Sequence, residues 1–242
     1  MKRAVLFGVV FLLSLGRGIA ATPSPILKLS LPFQGTMALA VLDARPDVVS
    51  GDRKETFVGF SRSLYGIPYP AYTTSKQPLA QDLSDLVTRG LKLGRTPAQA
   101  VKASPFNHQD GAVKALQATG AERLILIEIR DWWTDTLIHT DLHYDLGLTV
   151  FNSQGQELGA SSVTGHDELG RRQRPERRDV PTATNDVFST LFATGTVTSS
   201  FAADAQPAVK KASCSVDQIL KMKEAGLAQE QIESACGASN HQ

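Results

Sequence analysis

Apolar and polar positions change period several times along the chain, and each change marks an element. TMALAVLD, Thr36 to Asp43, is almost unbroken in its apolar residues and reads as a buried strand. Pro46 ends it, because proline has no N–H to give to a ladder. ETFVGFSRSL, Glu55 to Leu64, alternates, which places Phe57 and Gly59 on one face and Val58 and Phe60 on the other. The next stretch, YGIPYPAY from Tyr65 to Tyr72, is crowded with proline and tyrosine and reads as an irregular loop. Its aromatic rings either present anchors to a partner or lipid or pack across a sheet edge. From Pro78 the period becomes helical. Leu79, Leu83, Leu86, Val87 and Leu91 fall on one stripe, with Pro78 in the favoured first turn. Pro97 to Ser104 reads as a short strand. Asp110 to Thr119 reads as a second helix, with Val113 and Leu116 inward and Gly120 as its stop.

The second half returns to period two. In ERLILIEIRDWW, Ile125, Ile127 and Ile129 share one face, and Leu124, Leu126, Glu128 and Arg130 the other. Trp132 and Trp133 fall one on each face. The following strand places Leu142, Tyr144, Leu146, Leu148 and Val150 together and ends in Asn152-Ser-Gln-Gly155, which is hairpin-turn chemistry. Glu157 to Thr164 is the returning partner. Asn185 is placed to cap a last helix with Val187, Phe188, Leu191 and Phe192 inward, although the threonines from Thr190 to Thr198 weaken that helix. The order β-β-α-β-α-β-β-β-α predicts an α+β fold: a mostly antiparallel sheet with helices packed on one face. This domain spans 33-204, after a proline- and serine-containing leader from Thr22 to Pro32.

The N-terminus changes the picture from fold to compartment. Met1-Lys2-Arg3 is a basic start, Ala4 to Gly16 an apolar run, and Ile19-Ala20-Ala21 a small-residue stretch. That order is a secretory signal peptide, residues 1-20, cut after Ala20 or Ala21. The apolar run is shorter than the roughly 18 residues a spanning helix needs. No transmembrane segment is expected after cleavage, and the mature chain is expected in the periplasm or secreted. In an oxidising compartment the chain's two cysteines, Cys214 and Cys236, read as a disulfide rather than a metal or redox site. They flank two short helical runs, residues 213-237, joined to the domain by the Ala/Lys linker 205-212. Ser215 with Gln218 completes a capping box, and Gly226 takes the left-handed position between the helices. A cross-link closing such a loop contributes on the order of 3 kcal/mol.

Several segments resemble known groups. HYDLGLTVFNSQGQELGASSVTGHDELG followed by NDVFSTLFATGTVTSSF resembles the second half of the YajG-type envelope lipoproteins. The helix around Asp82 to Leu91 and the strand LILIEIRDWW match them in order. The chain is similar, more distantly, to the auxiliary lipoproteins of envelope lipid transporters. Both resemblances imply a non-enzymatic envelope component. This chain lacks their lipidated cysteine, so membrane tethering is not carried over. ILKMKEAGLAQEQI resembles the short SHOCT helical module, which implies partner contact or homo-oligomerisation through the C-terminal hairpin.

Candidate chemistry is sparse. Lys and Arg total 25 against 24 Asp and Glu, for a net charge of +1, which argues against a nucleic-acid or other polyanion specialist. Arg171, Arg172, Arg174, Arg177 and Arg178 crowd one loop, and arginine grips carboxylate or phosphate bidentately. That run is the candidate contact for an envelope protein or an anionic envelope component; a solvated loop is the plain alternative. His139, Asp141, His143 and Asp145 alternate onto one strand face, with His166 and Asp167 as further offers. Two imidazoles and two carboxylates have the chemistry of a zinc site, but same-face residues on a strand stand several ångströms apart and no metalloenzyme spacing is matched. A metal-dependent hydrolase using His139, His143 and His166 is therefore the second reading. The chain has no Gly-x-Ser-x-Gly elbow, no phosphate-binding glycine loop and no His-Glu-x-x-His helix. Catalytic residues and cofactors are not expected, and the reading is an exported binding accessory of the cell envelope.

Overall fold

The computed structural model describes residues 26–169, 179–202, 221 and 223. The signal segment, the arginine run 171–178 and both cysteines lie outside the described residues. Seven strands form one curled sheet: β1 (Met37–Asp43), β2 (Phe57–Arg62), β3 (Pro68–Tyr72), β4 (Ala98–Lys102), β5 (Arg123–Thr136), β6 (Thr140–Asn152) and β7 (Glu157–Glu168). The helices are α1 (Pro46–Val49), α2 (Leu79–Leu93), α3 (His108–Gln117), α4 (Asp179–Ala193) and α5 (Gly195–Ser199). No described helix is long and apolar enough to cross a membrane.

The fold is α+β, but the sheet is mixed rather than mostly antiparallel. β1 pairs in parallel with both β4 and β5, and β2 in parallel with β5. Only the β2–β3, β5–β6 and β6–β7 pairs are antiparallel. The physical reason lies in β1, all seven residues of which are buried. A strand covered on both faces belongs inside a parallel array with helices above and below. Leu39 and Val41 enter the large core with Leu83, Val87 and Leu91 of α2, while Ala38, Ala40 and Leu42 enter a smaller core with Ala112 and Leu116 of α3. Helices therefore flank both faces, not one.

β5 organises the sheet. Its Ile125, Ile127 and Ile129 face the large core and Leu124 and Leu126 the small one, as the alternation predicts. β6 follows one edge from Arg123 to Thr136. A strand has two edges, so β1 and β2 share the other: β1 pairs with residues 123 to 129 and β2 with residues 134 to 136. Between them β5 is unpaired on that edge, and the sheet forks.

Other expectations need correction. Residues 68 to 72 are not irregular; they form the edge strand β3. Ser63 N–H donates to Ile67 O, which turns residues 67, 69 and 71 toward β2 and leaves Pro68 and Pro70 pointing outward, where a missing N–H costs nothing. Asn185 lies within α4, which starts at Asp179, and the helix breaks at Thr194 before α5 begins. β7 continues past Thr164 to Glu168. Leu27, Leu29, Leu31 and Phe33, read as leader and domain start, alternate into the large core. Leu29 N–H donates to Gly90 O, so this segment lies along α2.

Candidate functional site

The fork in the sheet is filled by an ion pair. Asp43 closes β1, and Arg45, two residues on, folds back over it. Arg45 Nε donates to Asp43 Oδ1 at 2.8 Å and Nη2 to Oδ2 at 2.7 Å. Nη1 donates to two backbone carbonyls, Phe57 O at 2.8 Å and Trp132 O at 3.2 Å. Those carbonyls belong to residues of β2 and β5 that the fork leaves without a strand partner on that edge. The guanidinium thus takes the place of a missing strand, and the pair is almost wholly enclosed, at 3% and 1% exposure. A buried guanidinium needs its charge and its donors met, and here the charge is paired and four of its five N–H groups donate.

Above this pair lies a cavity of about 290 Å³ lined by Arg45, Pro46, Asp47, Arg53, Phe57, Phe60, Asp131, Trp132 and Trp133. Two β-bulges shape it. In β2 the register slips between Phe57 and Gly59, with Gly59 at φ +139° against the Thr134 backbone. The slip brings Phe57 and Phe60 to the same side, their rings 5.2 Å apart and edge-on, where plain alternation had separated them. In β5 the slip falls between Ile129 and Asp131. Up to Ile129 the odd positions face the large core; beyond it the even one, Trp132, does. Trp133 is thereby turned out to the opposite face. Bulges beside binding sites commonly re-aim a side chain in this way.

Trp133 is held in place by its neighbours. Its ring lies flat on His143, with centroids 4.1 Å apart and planes 3° from parallel, and its Nε1–H donates to Asp131 Oδ2 at 3.2 Å. His143 is in turn stacked on His166 at 4.4 Å and 20°. Trp133, His143 and His166 are register partners on three adjacent strands, so the ladder of rings follows from the pairing. On the cavity's other wall the Arg53 guanidinium lies 4.6 Å from the Phe57 ring centre and 5.1 Å from that of Phe60. Its nearest carboxylate, Asp47, is 3.9 Å away, and among the described residues no acceptor comes within hydrogen-bond distance of it.

Asp141, His143 and Asp145 alternate along β6 opposite the core-facing Leu142 and Leu146, whereas His139 lies before the strand, which begins at Thr140. Its geometry is one of pairing and stacking. His139 Nε2 lies 3.3 Å and His166 Nε2 3.2 Å from the two carboxylate oxygens of Asp141. His143 is sandwiched between rings, and because imidazole lone pairs lie in the ring plane, stacked rings do not aim them at a common point. Among the described residues no three His, Cys, Asp or Glu side chains come together to hold a metal ion. Asp145 is 3.6 Å from Arg130 and accepts from Thr164 Oγ1. At the end of the face Arg62 Nη2 is 2.6 Å from Asp135, whose hydrogen bond and charge push the guanidinium pKa up. Tyr144, on the core side, has its phenol pushed up by burial first and by the charge and hydrogen bond of Asp167 second.

No family model and no curated protein matches the chain. The YajG-type and SHOCT-like resemblances therefore gain no family from those comparisons. Among solved structures it is similar to protein XCC0632 from Xanthomonas campestris, described as DUF330, at 13% identity and a TM-score of 0.40, over 72% of this chain and 88% of that one. It is similar to lipoprotein GNA1162 from Neisseria meningitidis at 14% identity and a TM-score of 0.32, over 66% of this chain and 100% of that one. The PelC dodecamer from Paraburkholderia phytofirmans is similar at 10% identity and a TM-score of 0.35, over 71% of this chain and 91% of that one.

The crevice was missed by the sequence reading. Signals for it were present: a lone glycine inside the β2 pattern, and a change of apolar phase from Ile125, Ile127 and Ile129 to Trp132. Of the residues singled out beforehand, Trp133 and His143 come together, Asp141 joins His139 and His166, and the arginine run and cysteines lie outside the described residues.

Proposed function

We propose that this chain is an exported, non-catalytic accessory of the cell envelope, and that the crevice between β1 and β2 is where it binds. The observation that carries the reading is the convergence of two bulges on one aromatic-walled cavity, floored by a buried, hydrogen-bonded ion pair. The arrangement suits recognition rather than bond-making. Asp43 is spent on Arg45, while Asp131 accepts from the Trp133 N–H and, with Asp47, keeps lone pairs at the cavity wall for a ligand's donors. Concave, mostly apolar sites with a few polar groups at the rim are the ordinary form of a small-ligand site.

Both tryptophans of the chain line the cavity, which supplies the test. In a Trp132→Phe protein, Trp133 is the sole tryptophan, excited selectively at the red edge of the absorption band. Solubilised envelope fractions are expected to give a saturable change in its emission. A spectrum indifferent to every fraction removes the crevice from consideration. The export reading carries a separate check: alkylation and mass analysis of native protein are expected to find residues 1-20 removed and Cys214 joined to Cys236. The arginine run Arg171 to Arg178 stays a second contact candidate for an anionic component or envelope protein. Its neutralisation is expected to lower retention on anionic envelope vesicles, and unchanged retention removes it.

A further inference from the structure

We infer that the crevice takes a sugar ring of an uncharged glycan, stacked on the face of Trp133 that His143 leaves open. The inference rests on the binding reading above and adds the ligand's chemistry. β6 and His143 occupy one side of Trp133, and the fork lies on the other edge of β5, so the second face of the indole fronts the cavity it lines. The indole is fixed by its stack and by its hydrogen bond to Asp131, so little side-chain freedom is lost on binding.

Charge narrows the class. Arg45 is cancelled by Asp43, which leaves one guanidinium, Arg53, against two carboxylates, Asp47 and Asp131, around the cavity. That balance disfavours a phosphate or carboxylate. A free cation finds the Phe57–Phe60 pair already covered by Arg53. A flat aromatic ligand matches the walls but makes no use of Asp47, Asp131 and Arg53, the polar groups around the cavity. A pyranose has what remains: a C–H face for the indole and a ring of hydroxyls that both donate to Asp47 and Asp131 and accept from Arg53. The volume, about 290 Å³, lies at the small end for ligand sites and suits one ring with its neighbours in the chain projecting outward.

Calorimetric titration of the full chain with maltotetraose, cellotetraose and chitotetraose tests this, with sodium phosphate, galacturonate and indole as contrasts. At least one neutral tetrasaccharide is expected to bind saturably, and Trp133→Ala to abolish binding. Asp131→Asn keeps the aromatic walls and is expected to weaken binding by about tenfold, the loss of one charge-assisted hydrogen bond. Melting curves and near-ultraviolet dichroism establish that each variant is folded. Failure of all three tetrasaccharides, or binding unchanged in both variants, overturns the sugar assignment. If phosphate, galacturonate or indole binds through Trp133 instead, the ligand class falls while the crevice stands. If the envelope fractions also leave Trp133 emission unmoved, the binding reading falls with it.

Discussion

Replacing Arg45 by Met examines the floor of the crevice directly. The change leaves the Asp43 carboxylate at 1% exposure with no counter-ion, and removal of one partner from a buried pair costs about 3–5 kcal/mol. It also takes the donor from Phe57 O and Trp132 O, which face the unpaired edge of the fork; each buried carbonyl left unmet adds about 1 kcal/mol. The sum is at least about 5 kcal/mol, which at a urea m-value of about 2 kcal/mol/M lowers the midpoint by at least about 2.5 M. Asp43→Leu with Arg45→Met removes the stranded charge, so only the carbonyl part, about 2 kcal/mol, persists, and the double variant is expected to be more stable than the single one by about 3 kcal/mol. Urea unfolding followed by tryptophan emission reads both, since Trp132 and Trp133 sit on the site. A single-variant midpoint within about 0.5 M of the parent, or a double variant no more stable than the single, refutes the view that Arg45 stands in for a strand.

Three further outcomes follow from the geometry. Gly59→Ala forces a Cβ onto the Thr134 backbone at φ +139° and is expected to cost at least about 2 kcal/mol, seen as a melting temperature lower by about 6 °C. The Tyr144 phenol has its folded pKa raised, so it adds stability that is complete below the unfolded phenol's value, about 10, and is lost as pH rises through the folded value. Tyr144→Phe is expected to remove a late step from the absorbance titration at 295 nm and to flatten the alkaline fall in stability; an unchanged titration contradicts the assignment. Pro68→Thr with Pro70→Thr puts two N–H donors on the outer edge of β3, beside the exposed Leu64, Tyr65 and Tyr69, and is expected to raise concentration-dependent association in sedimentation.

Burial reads well from a one-dimensional pattern where the period holds. The faces of β5 before Ile129, of β6 and of α2 all match their alternation or helical stripe, because one face of each meets a core. Parallel pairing is harder to see, yet β1 carried its sign in an apolar run without alternation. Leu27, Leu29, Leu31 and Phe33 alternate as clearly as any strand, but the prolines around them suggested a leader, and only the groove beside α2 reveals what they cover. β3 was hidden by its prolines, which exclude an inner strand and not an edge whose outward positions need no donor.

The crevice is the part that period alone reports wrongly, for one cause. A bulge inserts a single residue and reverses every later side chain, so a strict alternation drawn through Gly59 separates Phe57 from Phe60, and one drawn through Arg130 sends Trp133 inward. Both slips fall where β1 hands the edge of β5 to β2, so each ladder is held there by a partner on its other edge alone, β6 for β5 and β3 for β2. The same interruption that opens a gap in the sheet therefore turns three aromatic rings into it, while the guanidinium of Arg45 satisfies the backbone groups the gap would strand. The irregularity and the aromatic cavity are one structural feature, and the Trp133 stack on His143 holds one of its walls in place.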